Sequence, residues 1–224
     1  MHGLEEWRDA LGLLSVAIAI VAAFIYVFQT FSGKVRPHPL SWFLFGMLSA
    51  TGYWVQRDEG ARQGSWTLLA MTVICFIFVA ASLIRGERRF SLAEWAFAAA
   101  GGAVFVCYFF TKEPNLAAAL TTLIDALGYG PTFVRGWSQP RKDSIASFAL
   151  NGAKFVPSLM AMDPLTFATS SYPLALLILN AAVAVMLLVR RAPIGLPSSA
   201  RRERAISGRI LARRSISHTI KRLN

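Results

Sequence analysis

The chain has 224 residues, 55% of them hydrophobic and only 16% charged, yet it carries a formal net charge of +11, and its mean hydropathy is +0.48. Apolar runs of about 20 residues, each enough to cross roughly 30 Å of hydrocarbon, exclude an ordinary soluble enzyme and leave no room for a sizeable soluble domain. Backbone groups in lipid must be satisfied inside each segment, so the expected fold class is an all-α membrane protein.

In chain order, seven spans are expected over residues 10–31, 39–56, 66–85, 92–111, 115–135, 144–162 and 170–190. Turn-forming residues fall between them: Ser32 and Gly33 with Pro37 and Pro39, then Gly60 to Gly64, Gly86, Pro114, Pro140 and Pro164. The first span follows an acidic start (Glu5, Glu6, Asp9) and lacks a small-residue cleavage site, so it reads as a helix of the mature fold and not as a signal peptide.

Lys and Arg near span ends resist translocation. Joints one, three and five carry the positive excess, from Lys34 and Arg36, from Arg85, Arg88 and Arg89, and from Arg135, Arg141 and Lys142. The even joints are balanced or acidic, with Arg57 and Arg62 against Asp58 and Glu59, Lys112 against Glu113, and Asp163 alone. The N-terminus is therefore expected outside and the C-terminus in the cytoplasm, in a plasma or bacterial inner membrane.

Residues 24–85 and 130–191 also read as one unit written twice, 106 positions apart. Ser41-Trp42-Phe43-Leu44-Phe45-Gly46 aligns with Ser147-Phe148-Ala149-Leu150-Asn151-Gly152, and each copy closes on an arginine, Arg85 and Arg191. Duplication at a fixed offset is an architectural signal. The expected layout is 3+1+3: a repeat over about 10–85, a linker helix over about 92–111 and a second repeat over about 115–191, followed by a basic cytoplasmic tail over 192–224. The odd linker helix lets both repeats insert the same way up, in agreement with the charge pattern.

Pro131-Thr132-Phe133-Val134-Arg135-Gly136-Trp137, the basic stretch Arg141-Lys142-Asp143 and Ser144-Ile145-Ala146-Ser147 resemble the loop motif of the PQ-loop superfamily, which includes SWEET and MtN3 sugar transporters, lysosomal cystine and cationic amino-acid carriers, and KDEL receptors. Thr132 stands where the motif has glutamine, and the first repeat has Ile25 and Tyr26 in place of the pair. The resemblance implies a seven-helix carrier or receptor rather than an enzyme. It also implies that Pro131 and Pro157 serve as hinges, and that Asn180 lies in the helix where SWEET transporters place a substrate-binding asparagine.

Charge at mid-membrane is costly and faces a bundle interior or a wet cavity. Asp125, Lys154 and Asn180 lie near the centres of spans five, six and seven, whereas the residues 106 positions earlier are Ala19, Leu48 and Ile74. Asp125 and Lys154 are expected to form a salt bridge, either at a substrate cavity or as a structural tie between helices. Asn151, one turn from Lys154, is a further candidate. Trp42, Tyr53 and Trp54 face either the cavity or helix seams, with Trp54 counted among the binding candidates. Trp7, Trp66 and Trp95 fit an interfacial belt.

Cys75 and Cys107 stand alone, the histidines lie in tails and a loop, and no nucleotide loop or catalytic spacing is present, so neither metal nor cofactor is expected. A retinal protein would carry its lysine in the last span, not in span six. From Arg190 onward ten Lys and Arg stand against one Glu, and Ile206, Ile210, Ile216, Ile220 and Leu223 recur at mostly helical spacing. That tail is either a basic amphipathic helix on anionic lipid or an unstructured topology signal. Nucleic acid is not an expected partner, and homo-oligomerisation is open. Two functions follow: a carrier of a small polar solute, sugar-like or amino-acid-like, working by alternating access, or a ligand-binding receptor or sensor on the same fold.

Overall fold

Helices occupy all seven expected intervals. The structure is a computed structural model that describes residues 2–33, 39–85 and 90–191. The tail and its expected amphipathic helix lie outside the described residues, as do Lys34, Arg36, Arg88 and Arg89. In chain order the helices are α1 His2–Phe31, α2 Pro39–Asp58, α3 Trp66–Arg85, α4 Leu92–Thr111, α5 Pro114–Gly128, α6 Gly130–Ser138, α7 Ile145–Ala153, α8 Phe155–Met160 and α9 Phe167–Arg191. Short 3-10 turns at Arg62–Ser65 and Pro140–Lys142 precede α3 and α7. No strand occurs among the described residues. By length and composition, four stretches among the described residues are apolar enough to cross a membrane: Glu5–Phe31, Arg62–Ile84, Leu92–Thr111 and Phe167–Arg191.

Local chemistry sets the helix ends. Gly60, at φ +82°, closes α2, with Ala61 N–H donating to the Gln56 carbonyl (2.8 Å) and Gly60 N–H to Arg57 (3.0 Å). Only a residue tolerant of positive φ fits that turn. Ser91 caps α4 in a reciprocal box with Glu94.

Proline accounts for the interruptions. A proline has no N–H for the carbonyl four residues back. α5 and α6 are separated by Tyr129 alone, two residues before Pro131, and α7 and α8 by Lys154 alone, three before Pro157. Pro173 lies inside α9 without breaking it. The Thr169 carbonyl it leaves free instead accepts from Gln56 Nε2 of α2 at 2.7 Å.

α3 packs on both α1 and α2, α2 also on α4 and α5, and α1 on α7 and α8. Leu44, Leu48, Leu68, Phe155, Tyr172 and Leu176 form the main core, drawing on α2, α3, α8 and α9. Small residues allow close approach. A Cβ on Gly101 would meet Leu44 Cδ1 at 2.6 Å, and one on Gly64 would meet the Met162 Cα at 2.9 Å. Leu13, Phe24, Phe28, Ile84 and Phe110 project outward, as apolar side chains facing lipid would.

Candidate functional site

Between the helices up to α3 and those from α5 onward lies a cavity of about 460 Å³. Its deep polar residues are Asp125 (α5), Tyr129 (the α5–α6 break), Lys154 (the α7–α8 break), Asn151 (α7) and Asn180 (α9). Both helix interruptions therefore fall on its wall. It extends to Thr132, Asp143 and Ser144, beside the 3-10 turn Pro140–Lys142.

The side chains form a partial network. Lys154 Nζ donates to Asn151 Oδ1 at 2.9 Å, and Asn151 Nδ2 donates to the Ser147 carbonyl at 3.0 Å. The Lys154 ammonium also lies 5.3 Å from the Phe155 ring centroid. Asn180 Nδ2 donates to Tyr129 Oη and to the Leu176 carbonyl, both at 2.8 Å, and so ties α9 to the α5–α6 break. Gly152 lets α7 approach that point, since a Cβ there would lie 3.2 Å from Asn180 Cβ.

Asp125 is the exception. It is 1% exposed, and neither carboxylate oxygen has a hydrogen-bond partner. The expected Asp125–Lys154 salt bridge is not made. No N···O contact within 4.0 Å joins them, and Lys154 Nζ donates to Asn151 Oδ1. The two share a cavity instead.

Four of the five binding candidates read from the sequence, Asp125, Lys154, Asn180 and Asn151, thus line one space. Trp54 does not. It packs edge-on against Tyr53 and Phe109, under the Arg57 guanidinium at 4.8 Å, on the side of α2 that meets α4. Pro131 and Pro157 sit just beyond the breaks, Pro131 exposed and Pro157 buried. Trp42 does reach the cavity, and its Nε1 donates to Tyr26 Oη at 3.2 Å. Thr132, at the motif's glutamine position, lines it as well.

Tyr129 and Tyr172 were missed as site residues, although each lies within two residues of a proline, a signal that could have marked them. Among the described residues, the acidic and basic lining residues (Asp125, Asp143 and Lys154) all come from the second half of the chain. The first half supplies Tyr26, Gln29, Ser41, Trp42 and Cys75 among others.

Polar contacts lie at the opposite end. Arg8 pairs with Asp163, Arg62 with Glu5 at 3.3 Å, and Gln63 Nε2 donates to Asp9 at 2.6 Å. Beneath them Ser158 Oγ donates to the Gly64 carbonyl at 2.9 Å, and the buried hydroxyls of Ser15 and Thr67 bond to each other.

Among the described residues, fold and site together define an all-helical protein with membrane-length helices and a cavity lined in part by the buried polar residues Asp125, Lys154 and Asn180. No family model matches the chain, no curated protein matches it, and no solved structure matches it.

Proposed function

We propose that this protein is a membrane carrier for a small polar solute, working by alternating access between two three-helix units, about 10–85 and 115–191, joined by α4. The observation that carries the proposal is a cavity at two proline-linked helix interruptions whose deepest carboxylate, Asp125, has no partner within the protein. An unpartnered ionisable group at membrane depth is costly and marks a ligand or ion path. Interrupted helices at the junction of repeats are where transporter sites lie.

The repeat layout is supported by contacts within each unit. The third helix of each touches both of its companions: α3 packs on α1 and α2, while α9 meets Tyr129 at the α5–α6 break and Gly152 of α7. With the positive joints cytoplasmic, the cavity end near Asp143 faces the cytoplasm and the Arg8–Asp163 layer seals the outside. Pro131 and Pro157 act as the hinges on which the second unit bends. A carrier of this kind needs no enzymatic chemistry.

The test is uptake and counterflow in proteoliposomes with a panel of sugars, amino acids and nucleosides. Saturable counterflow of one solute is expected. Binding without movement would sink the carrier and favour a receptor.

A further inference from the structure

We propose that the ligand of this cavity is zwitterionic, an α-amino acid whose ammonium group sits on Asp125 and whose carboxylate sits on Lys154. The assignment rests on the cavity being the solute site proposed above.

Asp125 and Lys154 are 1% and 4% exposed, line the same space, and are not ion-paired. Unlike charges buried together ordinarily neutralise each other, because an uncompensated buried charge is costly. Here both oxygens of Asp125 are without a donor. Of the three N–H donors on the Lys154 ammonium, Asn151 takes one. The site thus offers a pure acceptor and a pure donor, spatially separated and both with unused capacity.

Ligand classes differ in what they leave behind. A neutral sugar satisfies hydrogen bonds but cancels neither charge. A simple amine cancels only the carboxylate, and a simple acid only the ammonium. An α-amino acid supplies both complements in one molecule, and burying a matched set of charges avoids the penalty of leaving either alone. Trp42, Phe45 and Phe148 give the wall apolar surface for a side chain. About 460 Å³ falls within the range of small-molecule sites. Lys154 is the one basic residue among the described lining residues.

The experiment measures thermal protection and counterflow on the purified full-length protein. The probes are a mixture of the protein amino acids, L-leucine, its decarboxylated analogue 3-methylbutylamine, its deaminated analogue 4-methylpentanoate, and glucose. The mixture is expected to protect and to exchange, and the amine and the acid matched to its most effective member to be at least tenfold weaker. Asp125→Asn should remove the advantage of the ammonium while retaining that of the carboxylate, and Lys154→Met should do the reverse. Both variants are first checked for folding by their melting curves. Protection by glucose but not by the mixture, protection by nothing, or equal loss for every probe in both variants would overturn the zwitterion. Amino acids that protect but do not exchange would leave the ligand class standing and remove the carrier.

Discussion

Gln56 Nε2 donates 2.7 Å to the carbonyl of Thr169, the oxygen that Pro173 leaves without an intrahelical partner. Both residues are buried, at 1% and 0% exposure, and they join α2 to α9 across the two halves of the chain. Replacing Gln56 with leucine should therefore cost about 1–3 kcal/mol, the usual penalty for orphaning a buried polar group. Pro173→Ala restores an N–H for that carbonyl. In the Pro173→Ala background the Gln56→Leu penalty should shrink by at least half. Equal penalties in both backgrounds, read from a double-mutant cycle of thermal unfolding, would show that the two residues are not coupled.

Asp125→Asn should stabilise the ligand-free protein by about 1 kcal/mol or more, because it removes the desolvation penalty of a carboxyl group that accepts no hydrogen bond. The same substitution should slow counterflow of α-amino acids at least tenfold. A fall in thermal stability would mean that Asp125 has an interaction holding the bundle together.

Pro157→Ala supplies the N–H that the Ala153 carbonyl lacks and should heal the interruption at Lys154. The expected result is unchanged or higher thermal stability, with exchange slowed several-fold and ligand protection retained. Pro131→Ala should behave likewise at Tyr129. If transport is indifferent to both, the breaks are static.

Gly64 and Gly102 separate packing from helix propensity. A Cβ at Gly64 would press on the Met162 backbone at 2.9 Å, whereas one at Gly102 meets nothing within 4 Å. Gly64→Ala should cost about 1–3 kcal/mol through overpacking. Gly102→Ala should be neutral or stabilise by up to about 1 kcal/mol, the helix preference for alanine over glycine. Melting curves of the two variants give the comparison.

Accessibility tests the sidedness of the cavity. With Cys75 and Cys107 replaced by serine, Ser144→Cys at the cavity end near Asp143 should react with a membrane-impermeant maleimide only from the side bearing the basic joints. Breaking the opposite layer with Arg8→Gln should raise labelling of a cavity cysteine from the other side. Labelling of Ser144→Cys from the N-terminal side alone would invert the proposed orientation.

The sequence by itself determined the helical class, the seven intervals and the positions of the breaks. Those features follow from local causes: apolar run length, missing proline donors, and glycine where φ must be positive. It also singled out Asp125, Lys154, Asn151 and Asn180, because a polar residue deep in an apolar run is conspicuous without any knowledge of its neighbours. Only the tertiary structure decided which partner each of them takes. Lys154 turns to Asn151 one turn away and leaves Asp125 empty, Asn180 reaches Tyr129, and Trp54 points to α4 and away from the cavity. Those outcomes depend on helix rotation and on contacts such as Gly152 against Asn180, which join residues far apart in the chain. Composition and spacing record the cost of burying a charge; the packing of helices on one another settles whether that charge meets a neighbour or a cavity.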